Sequence, residues 1–139
     1  MKFIRRAKAH WKGSGMEGSG TLTTQSNVLK DTPYSFHTRF KDEVGTNPEE
    51  LVGAAHSGCF AMQLSFMLGE EGYSPESLEV DSKITFEDGN VTHSTLTLKG
   101  KVPGIGKEDF EKLANKAKDI CPISKLLKAE IVLESKLKN

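Results

Sequence analysis

A chain of 139 residues with 36% hydrophobic content is long enough for one domain with its own core. Lys+Arg and Asp+Glu each number 19, and the resulting zero net charge excludes the electrostatic footprint of a nucleic-acid or anionic-membrane binder. The two cysteines, Cys59 and Cys121, are too few for a disulfide scaffold and form no CxxC pair, so a reducing cytoplasm is the expected compartment.

The N-terminus MKFIRRAKAHWKG carries basic residues without an apolar run and does not read as a secretory signal. Lys2 to Trp11 is strand-like, GSGMEGSG is a turn, and TLTTQSNVL alternates as a second strand. YSFHTRF places Tyr34, Phe36, Thr38 and Phe40 on one face and Ser35, His37 and Arg39 on the other, which predicts a third strand of an antiparallel meander.

A long helix follows. Asn47 suits its N-cap, Pro48 its first position, and Glu50 completes a capping box. Glu49 and Glu50 suit the positive end of the helix dipole. Leu51 to Leu68 contains no Asp, Glu, Lys or Arg. His56, Ser57, Gln63 and Ser65 argue against a membrane span and for a buried central helix ending at Gly69 or Gly72.

SLEVDSKITFEDG and THSTLTLKGKV are two further strands joined at a Gly89-Asn90 turn. GKEDFEKLANKAKDI is an amphipathic helix with Phe110, Leu113, Ala114 and Ala117 inward. Pro122 opens a short helical turn, PISKLL, and EIVLESKL is a last strand. The order βββ-α-ββ-α-β predicts an α+β domain over residues 1–139, its sheet largely antiparallel.

Cys59 reads either as a small core residue or as a reagent. At about 100° per residue, Glu49, Val52, His56, Cys59 and Gln63 fall within roughly 80° of one another. A polar stripe on a buried helix needs partners, which favours a site or an interface. Cys121, in DICPISK, sits where Pro122 breaks a helix, and reads as that or as a second thiol. Arg39 is a solvated guanidinium or one that pairs a carboxylate and lowers a thiol pKa. His56 and Cys59 are spaced i, i+3, but two ligands are too few for zinc, and His10, His37 and His93 lack ligand spacing, so no metal is expected. VPGIGKEDFEKL resembles the GIG turn of helix-hairpin-helix DNA-binding modules, but those need a preceding helix where STLTLKGKV is strand-like.

YSFHTRF, GTNPEELVGAAHSGCFAMQLS and ICPISK together resemble the osmotically inducible protein C (OsmC) family, sister to the organic hydroperoxide resistance proteins. The resemblance runs the length of the chain in order. It implies an intertwined homodimer with two interfacial sites and a thiol peroxidase acting on organic hydroperoxides and hydrogen peroxide. It also implies a dithiol reductant of lipoyl type and no metal or flavin cofactor. Cys59 matches the peroxidatic position, Cys121 the resolving one, and Arg39 and Glu49 the arginine and glutamate around the reactive thiol. That chemistry expects the Cys59 pKa to be depressed. A non-catalytic redox sensor or ligand-binding protein on the same scaffold is the rival expectation.

Overall fold

The structure is a computed structural model describing residues 1–139. The chain forms two compact units, Met1–Leu51 and Val52–Asn139.

In the first unit, strands β1 (Ala7–Lys12), β2 (Ser19–Thr24) and β3 (Thr32–Tyr34) make an antiparallel sheet in the order β1-β2-β3. Gly20 pairs with Trp11 on one side and Tyr34 on the other. A Cβ there would lie 2.6 Å from both rings, so glycine lets them meet across β2 with centroids 5.3 Å apart. The expected third strand stops early. Ser35 caps a short helix, α1 (Phe36–Phe40), and its hydroxyl accepts from the Thr38 N–H at 3.2 Å. The Thr38 hydroxyl in turn accepts from the Ser35 N–H at 2.7 Å. This reciprocal Ser-x-x-Thr box satisfies two donors at once and overrides the strand-like alternation. Arg39 therefore lies on a helical turn, not on a strand face.

Asn47 caps helix α2 (Pro48–Glu70) as its sequence predicts, but Glu50 bonds the Asn47 side chain rather than its backbone N–H, so the expected capping box is not closed. Asn47 Oδ1 accepts from the Glu50 N–H at 2.8 Å. The Glu50 carboxylate reaches back to the Asn47 side-chain amide and the Thr46 hydroxyl. At the far end the Tyr73 N–H bonds to Leu68 O and the Gly72 N–H to Gly69 O. That is a Schellman stop, with Gly72 at φ 88° in the left-handed position that glycine adopts freely. By length and composition α2 could cross a membrane. One face is nonetheless core: Phe60, Leu64 and Leu68 are fully buried. Met62 and Phe66 on the same helix are exposed.

The second unit's sheet joins β4 (Ser77–Glu87), β5 (Asn90–Lys101) and β6 (Glu130–Leu137) in the order β4-β5-β6. The β4–β5 hairpin turns on Asp88 and Gly89, both at positive φ, one residue earlier than the sequence expectation. Strands β5 and β6 run parallel, because the helices α3 (Lys107–Ile120) and α4 (Pro122–Leu126) intervene and return the chain to the same end of the sheet. Leu96 and Leu98 of β5 pack into one core with the buried face of α2 and with Phe110, Ala114 and Ala117 of α3. Leu113 borders that core. Gly104 lies in the turn between β5 and α3, so a strand precedes it where a helix-hairpin-helix module needs a helix.

Candidate active site

Cys59 lies midway along α2, nearly three turns beyond its N-terminal acidic residues, on the border of the buried face. Cys121 is the residue between α3 and α4 and is fully buried. Its N–H closes the last turn of α3 on Ala117 O at 2.9 Å. Pro122 then disfavours helical geometry at Cys121, which takes φ −55°, ψ 126° and redirects the chain into α4. The break that ends one helix thus positions a thiol. Both cysteines are free, and their side chains lie within hydrogen-bonding reach of each other.

The electrostatics of Cys59 differ from the sequence expectation. Burial pushes its thiol up from the ordinary value, and the hydrogen bond and charge repulsion from Cys121 push the same way. The Ile123 N–H, donating to the sulfur, acts against them. Removing a thiolate from water costs more than this one amide returns.

His56, one turn before Cys59, is fully buried. Its Nδ1 lies 2.6 Å from Ser94 Oγ on β5 and its Nε2 2.7 Å from Ser124 Oγ on α4. Ser94 Oγ is 3.3 Å from Ser82 Oγ on β4. Hydroxyls donate or accept as required, so both ring nitrogens are satisfied in a neutral ring. Burial holds the His56 pKa below its ordinary value. The unfolded chain therefore binds a proton at mildly acidic pH that the folded chain rejects. Stability is fully present above the unfolded value of about 6.5 and falls as pH drops through and below it. Urea midpoints measured from about pH 7.5 to about pH 5 are expected to fall, and the His56→Gln chain is expected to show a flatter decline.

In the first unit Arg39 binds Glu49: its Nε donates to Glu49 Oε1 at 2.6 Å and its Nη2 lies 2.6 Å from the same oxygen. Glu49 Oε2 is buried without a hydrogen-bond partner. His37 Nδ1, on α1 beside Arg39, is likewise buried and unpaired. Phe60, next to Cys59 on α2, is core, Met62 is exposed, and Phe36 packs on Phe40 with centroids 4.8 Å apart.

Of the four sequence-predicted site residues, the structure brings Cys59 to Cys121 and Arg39 to Glu49. Ser94 and Ser124 escaped the sequence reading. Ser94 had a signal: it shares an inward face with Leu96 and Leu98, where a hydroxyl needs a partner. Ser124 had none.

Two thiols in contact on an α+β scaffold make a cysteine-redox protein the chemical class to consider. The chain belongs to the OsmC family: residues 40–136 match the family described as OsmC-like protein. It is 45% identical to the peroxiredoxin OsmC of Escherichia coli (strain K12), over all of both chains. It is 25% identical to the organic hydroperoxide resistance protein OhrB of Bacillus subtilis (strain 168), over 86% of this chain and 90% of that one. Among solved structures, an OsmC-like protein of Vibrio cholerae superposes with a TM-score of 0.74 at 19% identity, covering 97% of this chain and 100% of that one. OhrB of Bacillus subtilis superposes with a TM-score of 0.67 at 24% identity, covering 96% and 98%. These two superpositions establish the fold.

Proposed function

We propose that the protein is a thiol peroxidase that reduces organic hydroperoxides, and hydrogen peroxide, in defence against oxidative and osmotic stress. The observation that carries this reading is the packing of Cys59 against the buried cluster that contains Cys121, two free thiols brought together at a helix break. Full-length similarity to a peroxiredoxin supports it.

The Cys59 thiolate attacks the near oxygen of the hydroperoxide. The S–O bond forms as the O–O bond breaks, and the leaving alkoxide takes a proton and departs as the alcohol. Cys59 is then a sulfenic acid. The Cys121 sulfur attacks the Cys59 sulfur, the S–O bond breaks, and the hydroxyl leaves as water with a proton from the Cys121 thiol. The resulting disulfide is reduced by exchange with an external dithiol, which ends oxidised. The substrate meets Cys59 first because Cys121 is the more buried thiol.

The groups around Cys59 in its own unit hold its pKa up, so the thiolate needs a cation. Arg39 is assigned that role, oriented by Glu49 through their ion pair. The site is assigned to an interface of a homodimer, in a cytoplasmic protein, and residues 1–139 to one functional domain.

The test is consumption of cumene hydroperoxide, tert-butyl hydroperoxide and hydrogen peroxide, each with dihydrolipoamide and with thioredoxin. Sustained turnover is expected with dihydrolipoamide and the organic substrates. Absence of turnover with every pair would leave the non-catalytic redox sensor as the reading.

A further inference from the structure

We propose that His56 is a positioning residue for disulfide formation, holding α4 through Ser124 so that Cys121 stays in register with Cys59. The inference rests on the thiol-peroxidase reading and adds the device that couples its two thiol steps.

The geometry is a pair of matched rungs. His56 and Cys59 are three residues apart on α2, and Cys121 and Ser124 are three residues apart across the start of α4. Cys59 reaches Cys121, and His56 Nε2 reaches Ser124 Oγ at 2.7 Å. One rung carries the chemistry and the other fixes the spacing.

Helix α4 needs such a tie. It has five residues, and none is fully buried. A helix that short is not stable by its own hydrogen bonds, and its neighbours must hold it. The His56 ring is well suited to this, because its other nitrogen is anchored by Ser94 on β5, itself within reach of Ser82 on β4. The second unit's sheet therefore fixes the ring, and the ring fixes α4. A buried imidazole with both nitrogens bonded has one orientation, whereas an apolar side chain in its place would fill the volume without setting the position of Ser124.

The step served is attack of the Cys121 sulfur on the Cys59 sulfenic acid. Intramolecular reactions of this kind depend steeply on placement of the reacting atoms. The earlier step, attack of Cys59 on the hydroperoxide, involves α4 only through the Ile123 N–H at the Cys59 sulfur, whereas the later step depends on where α4 holds the attacking Cys121 sulfur. A residue acting only on overall stability would not separate the two steps.

The experiment follows both steps after rapid mixing of reduced protein with about one equivalent of cumene hydroperoxide. Peroxide loss reports the first step. Quenched samples, alkylated and resolved by mass, report the disulfide, and dimedone traps the sulfenic acid. In Ser124→Ala the first step is expected to stay within about twofold of the wild type, while disulfide formation slows about tenfold and trapped sulfenic acid accumulates. His56→Gln breaks the same rung from the other side and is expected to show the same split, so either variant decides the question if the other does not fold. Disulfide formation at the wild-type rate, or equal slowing of both steps, would overturn the assignment. A wild-type chain that forms no Cys59–Cys121 disulfide would instead overturn the thiol-peroxidase reading itself.

Discussion

Cys59→Ser is expected to reduce hydroperoxide consumption to background, whereas Cys121→Ser is expected to consume about one equivalent per subunit and stop. The two thiols differ in surroundings, and the difference sets their order. Cys59 borders the buried face of α2 and is partly accessible. Cys121 is fully buried at the α3–α4 break. A serine hydroxyl at 59 is a far weaker nucleophile than a thiolate, and no other thiol is placed to take over. With serine at 121 the sulfenic acid has no resolving partner, so it persists and then gains further oxygens in excess peroxide. Intact-mass spectra after one equivalent check this directly. Wild-type protein should show the disulfide, Cys121→Ser one added oxygen, and Cys59→Ser neither. Continued turnover by the Cys59→Ser chain would remove Cys59 from the nucleophile's role.

What the sequence made legible follows from the range of the forces involved. The caps of α2, the Schellman stop at Gly72 and the amphipathic face of α3 are local, set by residues within a turn or two of one another. They could be read from spacing alone. The reading of YSFHTRF as a strand failed because two local signals competed, and the hydrogen-bonded Ser35–Thr38 box outweighed a three-step alternation. The parallel pairing of β6 with β5 is a property of how the chain returns after α3 and α4, which no window of sequence contains. The site divides the same way. Cys59 and Cys121 were visible as the only thiols, whereas Arg39 and Glu49 were joined to them only through the family resemblance. Ser94 was readable only as a polar residue in a leucine face, and Ser124 became significant only once folding set it against His56. Within one chain the Cys59 thiol is pushed up, against the sequence expectation, because desolvation depends on packing around the sulfur, which residue types do not report.

Co-expressing a Cys59→Ser chain with an Arg39→Ala chain is expected to restore roughly half of the wild-type activity in the isolated heterodimer, although each parent homodimer is inactive. Glu49 and Cys59 both lie on α2, ten positions apart from 49 to 59. At about 1.5 Å per residue they are separated by roughly 15 Å along its axis, too far for both to serve one peroxide from the same chain. Two copies of α2 packed antiparallel about a two-fold, with residue 54 at the midpoint, would set Glu49 of each beside Cys59 of the other. Only part of the midpoint is free for such an approach. Gly53 faces inward, with Ile84 and Ser82 about it, while Ala54, Ala55 and Gly58 are exposed and small. Met62 and Phe66, farther along, are exposed apolar side chains that a partner would cover. Glu49 already holds Arg39 by an ion pair, so a site built between chains would receive both together, and the partner's Arg39 would supply the cation that the Cys59 thiolate needs. In the mixed dimer one site then combines an intact Cys59 with an intact Arg39, and the other site carries both lesions. If each site were built within one chain, both sites would be broken and activity would remain at background. That outcome would refute the shared site for Arg39, and Glu49→Ala in its place would test the carboxylate separately.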